Sequence, residues 1–279
     1  LLVRDPQANK YDFGHVLIVG GSPGMVGAPF LAAMSALRVG AGLVTIASTK
    51  DVIDKLEERV VEVMTFRIPN DSIEAVKSLG DFISERRVSV VVVGPGMDNS
   101  GAQIAKSLLV KLDIPIIIDA GALTVFRGDL DVLKQVGLNN PNVIVTPHDG
   151  EFAKLTGNQM PSSGEERESA VAEFAQEFGM TLVAKGSPTL VAHVDGSVYI
   201  NETGNPGLAT AGSGDVLAGV IAGIVAQGAD VSEAADLAVR IHGLAADLGA
   251  KEKTQPGLIA SDLIEFIPQA MKLEFSDER

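Results

Sequence analysis

Short apolar runs recur along the chain and predict the buried strands of a parallel sheet. Each run ends in a turn of glycine, proline or polar residues, and segments with helical spacing separate the runs. This alternation is typical of an α/β fold in which helices cover both faces of a mainly parallel sheet. The predicted strands are residues 16–19, 43–47, 61–66, 88–93, 115–118, 143–146 and 181–184.

Apolar residues at helical spacing predict the helices that lie between and after these strands. The segment 165–178 also has the spacing of a capping box in Ser163 and Glu166. Asp195 and Gly196 separate two further short runs, 190–193 and 197–201, which predicts a hairpin at one edge of the sheet. The predicted helices include residues 30–37, 103–110, 165–178, 232–248 and 261–271.

No linker, internal repeat or low-complexity segment divides the chain. We therefore predict one domain over residues 1–279, with a three-layer αβα architecture. Its central sheet is expected to be mainly parallel, with the hairpin at one edge.

The glycine-rich stretch 204–215 leaves little side-chain bulk, so its backbone amides can approach a ligand closely. Asp215 is predicted to open the apolar helix that follows, and the free N–H groups and positive dipole end of a helix start suit a phosphate. A carboxylate and an anion site would then share one loop. The simpler alternative is that Asp215 caps a buried helix and the glycines form an ordinary turn. The glycines are Gly204, Gly207, Gly212 and Gly214.

Polar residues follow several of the predicted strands, and in such sheets ligands bind at the carboxyl ends of the strands. We therefore expect these turns to lie along one rim. Lys185, followed by Gly186 and Thr189, could place an ammonium and a hydroxyl group on a nucleotide phosphate. The alternative for a single lysine is a solvated surface residue.

Two other turns carry groups that could serve the same site. His148 follows a strand and Glu151 comes one short turn later, so together they could support a network of phosphate, water and metal. A surface histidine is the alternative. Asp119 ends an apolar strand, where burial without a partner is costly, so it is either an acceptor that caps a loop or part of the site.

Composition and charge narrow the class of function. The chain has 279 residues, 46% of them hydrophobic, and a formal net charge of −14. Because no stretch is dense in Lys and Arg, no nucleic-acid partner is expected. The absence of cysteine excludes disulfides and thiolate metal sites, which fits a reducing compartment. His15, His193 and His242 have no partner at metal-ligand spacing, so no zinc site is predicted.

The first residues contain no long apolar run, so no signal peptide is predicted. The apolar run 216–225 is far shorter than the ~20 residues that cross a bilayer. We therefore expect a soluble, cytoplasmic protein with no membrane partner. The chain begins with Leu1 rather than methionine, so we expect a processed form or part of a longer protein.

The loop 20–27 differs from the two most widespread phosphate loops. Ser22 stands where the dinucleotide motif G-x-G-x-x-G needs its second glycine. No Walker A motif occurs in the chain either.

An ordered set of motifs nevertheless runs through the chain. Its segments are residues 10–14, 20–28, 31–33, 36–45, 93–96, 119–123, 146–152, 185–186 and 203–219. Taken together, they resemble the ADP/ATP-dependent NAD(P)H-hydrate dehydratases of the ribokinase-like superfamily. The resemblance covers essentially the whole chain, and the order of the motifs carries it rather than any single one.

The resemblance implies a ribokinase-like fold and a repair activity on the S form of hydrated NADH or NADPH, in which water has added across a nicotinamide double bond. ADP or ATP, with Mg²⁺, would phosphorylate the ring hydroxyl, and elimination of phosphate would restore NADH or NADPH. It also implies a homo-oligomer, with a tetramer favoured, and the apolar helical segment 234–248 is a candidate for subunit contacts. Many relatives carry an epimerase domain in front, so here that activity would come from another domain or protein.

By the same resemblance, Asp215 would be the general base on the ring hydroxyl. The backbone of Gly212 and Gly214 would stabilise the phosphoryl group. Glu151 falls where the superfamily places an acidic residue near magnesium. The positions that match the hydrated coenzyme site are Ala28, Gly96, His148 and Asp215. The positions that match the nucleotide site are Lys185, Gly186, Ser187, Pro188, Thr189 and Gly214.

Two positions depart from the family pattern. Ala211 stands where a glycine is common, and Asp149 stands where a proline is common after His148. Neither departure removes a catalytic group, so we expect changes in fine geometry rather than loss of activity.

Two other classes of function are compatible with the same loop. One is a small-molecule kinase of the same superfamily, acting on a vitamin precursor such as a hydroxyethylthiazole or a hydroxymethylpyrimidine. The loop 20–28 and Thr146 to His148 match the dehydratases better. The other is a non-catalytic nucleotide-binding module, which the intact Asp215 disfavours. The choice between ADP and ATP stays open.

Overall fold

A nine-stranded sheet forms the centre of the protein, in a computed structural model that describes residues 3–162 and 164–276. The strands are β1 (His15–Val19), β2 (Leu43–Ser48), β3 (Met64–Arg67), β4 (Val90–Val93), β5 (Ile116–Ile118), β6 (Val143–Val145), β7 (Thr181–Ala184), β8 (Leu190–Ala192) and β9 (Val198–Ile200). Their order across the sheet is β3-β2-β1-β4-β5-β6-β7-β8-β9. All pairs from β3 to β7 are parallel, whereas β8 is antiparallel to both β7 and β9. The mainly parallel sheet and the edge hairpin are thus confirmed.

Helices connect most of the strands and follow β9. They are α1 (Gly27–Val39), α2 (Lys50–Leu56), α3 (Ser72–Glu85), α4 (Asn99–Leu109), α5 (Gly121–Thr124), α6 (Leu130–Asn139), α7 (Asp149–Thr156), α8 (Gly164–Phe178), α9 (Ser213–Ala226), α10 (Val231–Lys253) and α11 (Ala260–Glu274). In the described part of the chain, no helix is both long enough and apolar enough to span a membrane. Ser163, one half of the predicted capping box, lies outside the described residues.

The core lies on both faces of the sheet. Val16 and Ile18 of β1 join the apolar cluster beneath α1, α9, α10 and α11, whereas Leu17 and Val19 join the cluster beneath α3, α4 and α8. This alternation follows from the period of two along a strand. None of the four side chains is more than 2% exposed, and burying each one stabilises the fold by about 1.5–3 kcal/mol. The predicted three layers are therefore confirmed.

Glycines bring α9 into close contact with α1. A Cβ atom on Gly219 would lie 2.0 Å from the carbonyl oxygen of Ala32, and one on Gly223 would lie 2.7 Å from that of Ala36. Any larger residue at either position would push the helices apart. This packing holds α9 against the core and so fixes where its N-terminal end reaches the rim of the sheet.

Most element boundaries differ by a few residues from the sequence prediction, and two of these differences matter most for the sheet edge and the site. Strand β3 begins at Met64 rather than at residue 61, because Val61 is 87% exposed and takes no part in the buried run. Helix α9 begins at Ser213, so Asp215 lies inside its first turn and does not open it. Gly212 precedes the helix with φ +91°, a left-handed conformation that glycine adopts without strain.

The structure offers another explanation for the apolar character of segment 234–248, which the sequence indicates as a candidate for subunit contacts. Ala234, Ala238, Ile241 and Ala245 of α10 are fully buried within the chain itself. The apolar character of this helix is therefore accounted for by packing against α9, α11 and the sheet.

Candidate active site

The turns after β4, β5, β6 and β7 lie side by side at one edge of the sheet, because these strands are parallel neighbours. They include Asp119, His148 and Lys185. The backbones of His148 and Lys185 still pair beyond the ends of β6 and β7. The turn after β1 reaches the same edge, where the Gly21 N–H donates to the Pro95 carbonyl at 2.8 Å. The common rim predicted from the strand pattern is present.

The start of α9 offers unpaired donors at this rim. Its N-cap residue is Gly212, which has no side chain to satisfy the first N–H groups of the helix. Within residues 3–162 and 164–276, no acceptor takes the N–H of Gly214 or Asp215. Two free amides at the positive end of a helix dipole make a site for an anion.

Lys185 lies directly against this helix start. A Cβ atom on Gly214 would lie only 3.2 Å from Lys185 Nζ. The same nitrogen is 2.9 Å from Asp119 Oδ1 and 3.6 Å from Glu151 Oε2. Burial alone would lower the pKa of Lys185, but the carboxylates of Asp119 and Glu151 outweigh burial and raise it. The lysine is therefore a buried cation beside the open amides and not a solvated surface residue.

Asp119, whose role the sequence left open, is the buried partner of this lysine. It is 1% exposed. Its Oδ1 atom accepts hydrogen bonds from Lys185 Nζ at 2.9 Å and from Thr146 Oγ1 at 2.6 Å. Asp119 thus holds the cation in place at the rim and belongs to the site.

Asp215 is not the N-cap of α9, so the simpler alternative for this carboxylate is wrong. Burial and the nearby carboxylates of Asp119 and Glu151 raise its pKa, Lys185 opposes them, and the resulting pKa is about 7. A carboxyl group that exchanges its proton near neutral pH suits general-base catalysis. Asp119, Lys185, Glu151 and Asp215 form one electrostatic cluster at the strand ends.

The raised pKa makes the stability of the protein depend on pH. An unfolded Asp ionises near pH 4, whereas folded Asp215 keeps its proton up to about pH 7, so ionisation costs stability as pH rises through this window. We expect Asp215→Asn to be more stable than the wild type at pH 8 by about 2 kcal/mol, after discounting for solvent access. At pH 4 this advantage should vanish. Urea denaturation at both pH values measures the difference, and an advantage independent of pH would contradict the assignment.

Ala28 and Gly96, both expected at the coenzyme site, lie against each other. Gly96 has φ +64°, and a Cβ atom there would lie 2.9 Å from Ala28 Cβ and 2.5 Å from the Met25 carbonyl oxygen. The Ser22 hydroxyl donates to the Gly96 carbonyl at 2.9 Å. The turn after β1, the turn after β4 and the start of α1 therefore form one small wall at the rim.

His148 and Glu151 are linked by a reciprocal cap at the start of α7. His148 Nδ1 accepts from the N–H groups of Gly150 and Glu151 at 3.0 and 3.3 Å. The carboxylate of Glu151 accepts from the His148 N–H at 2.9 Å. Because Nδ1 accepts, the proton of the neutral ring is on Nε2, and the half-exposed side chain presents a donor.

The segment 185–189 forms an open turn after β7. Gly186, Ser187 and Pro188 are exposed. The Thr189 hydroxyl donates to the Gly186 carbonyl at 3.1 Å, which closes the turn. The residues expected to hold a nucleotide are thus accessible, next to Lys185.

Arg167 supports this turn and was not identified from the sequence. Arg167 is 3% exposed, and its Nη2 atom lies 2.7 Å from Asp149 Oδ1. The same atom packs against Gly186, since a Cβ atom on that glycine would lie only 2.7 Å from it. The unusual Asp149 is therefore the ionic partner of a buried arginine, which explains how the turn accommodates an aspartate.

Helix α10 holds the glycine-rich loop in place and was also missed. The carboxylate of Asp247 accepts from the Gly204 N–H and from Asn205 Nδ2, both at 2.9 Å. His242 Nε2 lies 3.0 Å from the Ser213 carbonyl oxygen. Both partners lie on a helix remote in sequence, so no local motif indicates these contacts.

Side chains alone do not form a metal site in the described part of the chain. Among the described residues, no group of three or more His, Cys, Asp or Glu side chains is arranged to hold a metal ion. Glu151, the expected metal residue, lies at the rim with a side chain 15% exposed, so it can offer one carboxylate.

These features define a class of protein. The mainly parallel sheet with its antiparallel edge hairpin is that of a ribokinase-like α/β protein, because a ribokinase-like superfamily protein of Enterococcus faecalis has a TM-score of 0.79 at 28% identity. The uncapped helix start beside the buried Lys185 is its candidate nucleotide site.

Comparison with known proteins gives the family. The model of the NAD(P)H-hydrate dehydratase family matches residues 16–269, and the chain belongs to this family. An ADP-dependent (S)-NAD(P)H-hydrate dehydratase of Neisseria meningitidis is 36% identical, over 93% of this chain and 86% of its own length. A bifunctional NAD(P)H-hydrate repair enzyme Nnr of Moorella thermoacetica is 41% identical, over 96% of this chain and 51% of its own length.

A solved structure agrees with these relatives. The ADP/ATP-dependent NAD(P)H-hydrate dehydratase of Bacillus subtilis, co-crystallised with ATP and Mg²⁺, has a TM-score of 0.83 at 31% identity, covering 98% of this chain and 94% of that one. The chain spans about half the length of the bifunctional relatives that it matches.

Proposed function

We propose that this chain restores NADH or NADPH from the S form of the hydrated coenzyme, with ADP or ATP as co-substrate. The terminal phosphoryl group of the nucleotide passes to the ring hydroxyl, which leaves AMP or ADP. Phosphate then departs together with a ring proton, and the double bond is restored. The names of the Neisseria and Bacillus relatives support a dehydration of this coenzyme that depends on ADP or ATP.

One observation carries the proposal, the contact between Lys185 and the open start of α9. A Cβ atom on Gly214 would lie 3.2 Å from the lysine nitrogen. A cation beside free helix amides binds a phosphoryl group and stabilises the charge on it during transfer. In this proposal the backbone of Gly212 and Gly214 cradles the transferred group. The nucleotide is held by Lys185, Gly186, Ser187, Pro188, Thr189 and Gly214.

Asp215 takes the proton of the ring hydroxyl as it attacks the phosphoryl group. With a pKa of about 7, half of the Asp215 side chains are ionised near neutral pH and can accept a proton. The first turn of α9 carries both this base and the amide donors, so the hydroxyl and the phosphoryl group meet at one point of the rim.

The hydrated coenzyme is proposed to lie against the wall formed by Ala28 and Gly96, with His148 and Asp215 contacting the ring. The wall brings backbone close to the ligand, because neither residue has a side chain beyond Cβ. The Nε2–H of His148 is a donor suited to the carboxamide or hydroxyl oxygens of the coenzyme.

Magnesium is proposed to arrive with the nucleotide. Mg²⁺ commonly binds through one or two carboxylates, substrate phosphates and several waters, and it does not need a cage of side chains. The single carboxylate of Glu151, beside Lys185 at the rim, fits that pattern. When bound there, the ion would neutralise phosphate charge.

The test is an assay of hydrated NADH with each nucleotide. We expect absorbance at the NADH band to rise only when ADP or ATP is present, with one AMP or ADP formed per NADH restored. Comparing the two nucleotides gives the preference, for which we propose ADP. If neither nucleotide raises the absorbance while a hydroxyethylthiazole or hydroxymethylpyrimidine is phosphorylated, the chain is a vitamin-precursor kinase and the proposal is wrong.

Three further points are proposed for the protein as a whole. Residues 1–279 act as one dehydratase domain in a homotetramer, as the resemblance implies, and a cytoplasmic location fits the absence of cysteine. The R form of the hydrate is converted to the S form by an epimerase in another domain or protein, as the resemblance implies. The relatives named bifunctional have room for a second activity, because this chain covers only 51% of the Moorella protein. Light scattering in solution tests the tetramer, for which about four times 29.0 kDa is expected.

A further inference from the structure

His242 contacts the glycine-rich loop from within the core. It lies on α10, is 7% exposed, and its Nε2 atom is 3.0 Å from the Ser213 carbonyl oxygen. A carbonyl oxygen only accepts hydrogen bonds, so Nε2 carries the proton and donates it. Burial lowers the pKa of this histidine to about 4, so the ring is neutral at pH 7.

The acceptor, the Ser213 carbonyl, and the Gly214 N–H belong to the same peptide group. A peptide group is planar and trans, so its carbonyl and N–H point in opposite directions. Fixing the Ser213 carbonyl therefore fixes the direction of the Gly214 N–H. That N–H is one of the free donors at the start of α9, within the described residues.

A hydrogen bond to a carbonyl also strengthens the N–H at the other end of the same peptide, because bonded groups polarise one another in a buried environment. Two effects thus act on one donor: its direction is fixed and its positive charge is increased. Both favour an anion in front of Gly214.

We propose that His242 is a positioning residue that orients and polarises the Ser213–Gly214 peptide toward the transferred phosphoryl group. The inference rests on the proposed function of the glycine-rich loop. His242 touches neither nucleotide nor coenzyme in this role and acts only through the peptide. Asp247, on the same helix, holds the other end of the loop at Gly204.

Histidine substitutions separate this role from simple filling of the core. His242→Phe keeps a ring of similar size but removes the donor, whereas His242→Gln places an amide donor near the position of Nε2. We expect His242→Phe to lower kcat for dehydration about 10- to 100-fold, with KM for the hydrate within twofold. His242→Gln should recover kcat to within about threefold of the wild type.

His193→Phe is the matched control. His193 also bonds to α10, through Asp236 at 3.2 Å, but has no hydrogen bond to residues 204–215 within the described part of the chain. The kcat of His193→Phe should match that of the wild type. Equal losses of kcat in His242→Phe and His242→Gln, or no loss in His242→Phe, would overturn the proposal.

NMR on the wild-type protein keeps the test independent of activity. The ¹⁵N shifts of His242 should show the Nε2–H tautomer from pH 6 to 8, and ADP should shift the Gly214 amide proton strongly. That shift should persist in His242→Gln and shrink in His242→Phe. An Nδ1–H tautomer, or a Gly214 amide that does not respond to ADP, would overturn the proposal. A chain that binds ADP with these signals but restores no NADH would refute the proposed reaction alone.

Discussion

Asp215→Asn should lower kcat for dehydration by about 10³-fold while ADP affinity stays within about threefold of the wild type. The amide has the same shape but cannot take the proton of the ring hydroxyl, and general-base catalysis contributes about 10²- to 10⁴-fold. Binding should survive because the nucleotide contacts proposed for Lys185 and the α9 amides remain. Steady-state kinetics with hydrated NADH and calorimetry with ADP measure the two quantities separately.

Asp230→Asn is the matched control for this substitution. Asp230 caps α10, beyond the opposite end of α9, where it accepts from the Ser232 N–H at 2.8 Å. The same change of charge there should leave kcat unaltered. Wild-type turnover in Asp215→Asn would show that another group accepts the proton.

Lys185→Met should produce the second large effect, a loss of at least about 100-fold in ADP affinity. The substitution removes the cation beside the Gly214 amide and leaves Asp119 buried without its ionic partner. Removing one partner of a buried ion pair destabilises a protein by about 3–5 kcal/mol. Calorimetry with ADP and urea denaturation give the two values.

A double variant separates the two consequences. Lys185→Met with Asp119→Asn removes both charges, so stability should recover by about 2 kcal/mol while ADP affinity stays low. Lys134→Met is the control, because Lys134 pairs with Glu177 at 3.0 Å on the surface and exposed pairs contribute about 0–1 kcal/mol. Wild-type ADP affinity in the double variant would exclude Lys185 from the nucleotide site.

The same lysine sets the pH at which Asp215 titrates. Burial and the carboxylates of Asp119 and Glu151 raise the pKa of this carboxyl, Lys185 lowers it, and the balance is a pKa of about 7. In the wild type, kcat/KM should therefore fall as pH drops below about 7, because the base becomes protonated. Whatever turnover Lys185→Met retains should need a higher pH, and a profile displaced to lower pH would contradict this electrostatic account.

Much of the fold follows from the sequence because the strands are buried on both faces. Uniform runs such as 90–93 indicate a covered strand, and parallel neighbours place their carboxyl ends along one rim. Boundaries are harder to predict. Val61 is as apolar as Val63, yet it is 87% exposed and lies before β3, which begins at Met64.

The site was predictable where short segments carry the chemistry and unpredictable where distant segments meet. The turn at Lys185 and the loop before α9 are visible as motifs. The ion pair of Lys185 joins it to Asp119 across 66 residues, and Asp247 reaches Gly204 across 43. The shifted pKa of Asp215 has the same origin, because burial and charges from three other turns produce it.

The fate of the ring oxygen tests the central claim most directly. Hydrated NADH prepared in ¹⁸O-water carries the label in its ring hydroxyl, and mass spectrometry of the released phosphate follows it during turnover with ADP. If the nucleotide phosphorylates that hydroxyl before elimination, each phosphate contains one ¹⁸O atom. If the label appears in water and the phosphate is unlabelled, the hydroxyl was never phosphorylated, and the role proposed for Asp215 and the start of α9 is wrong.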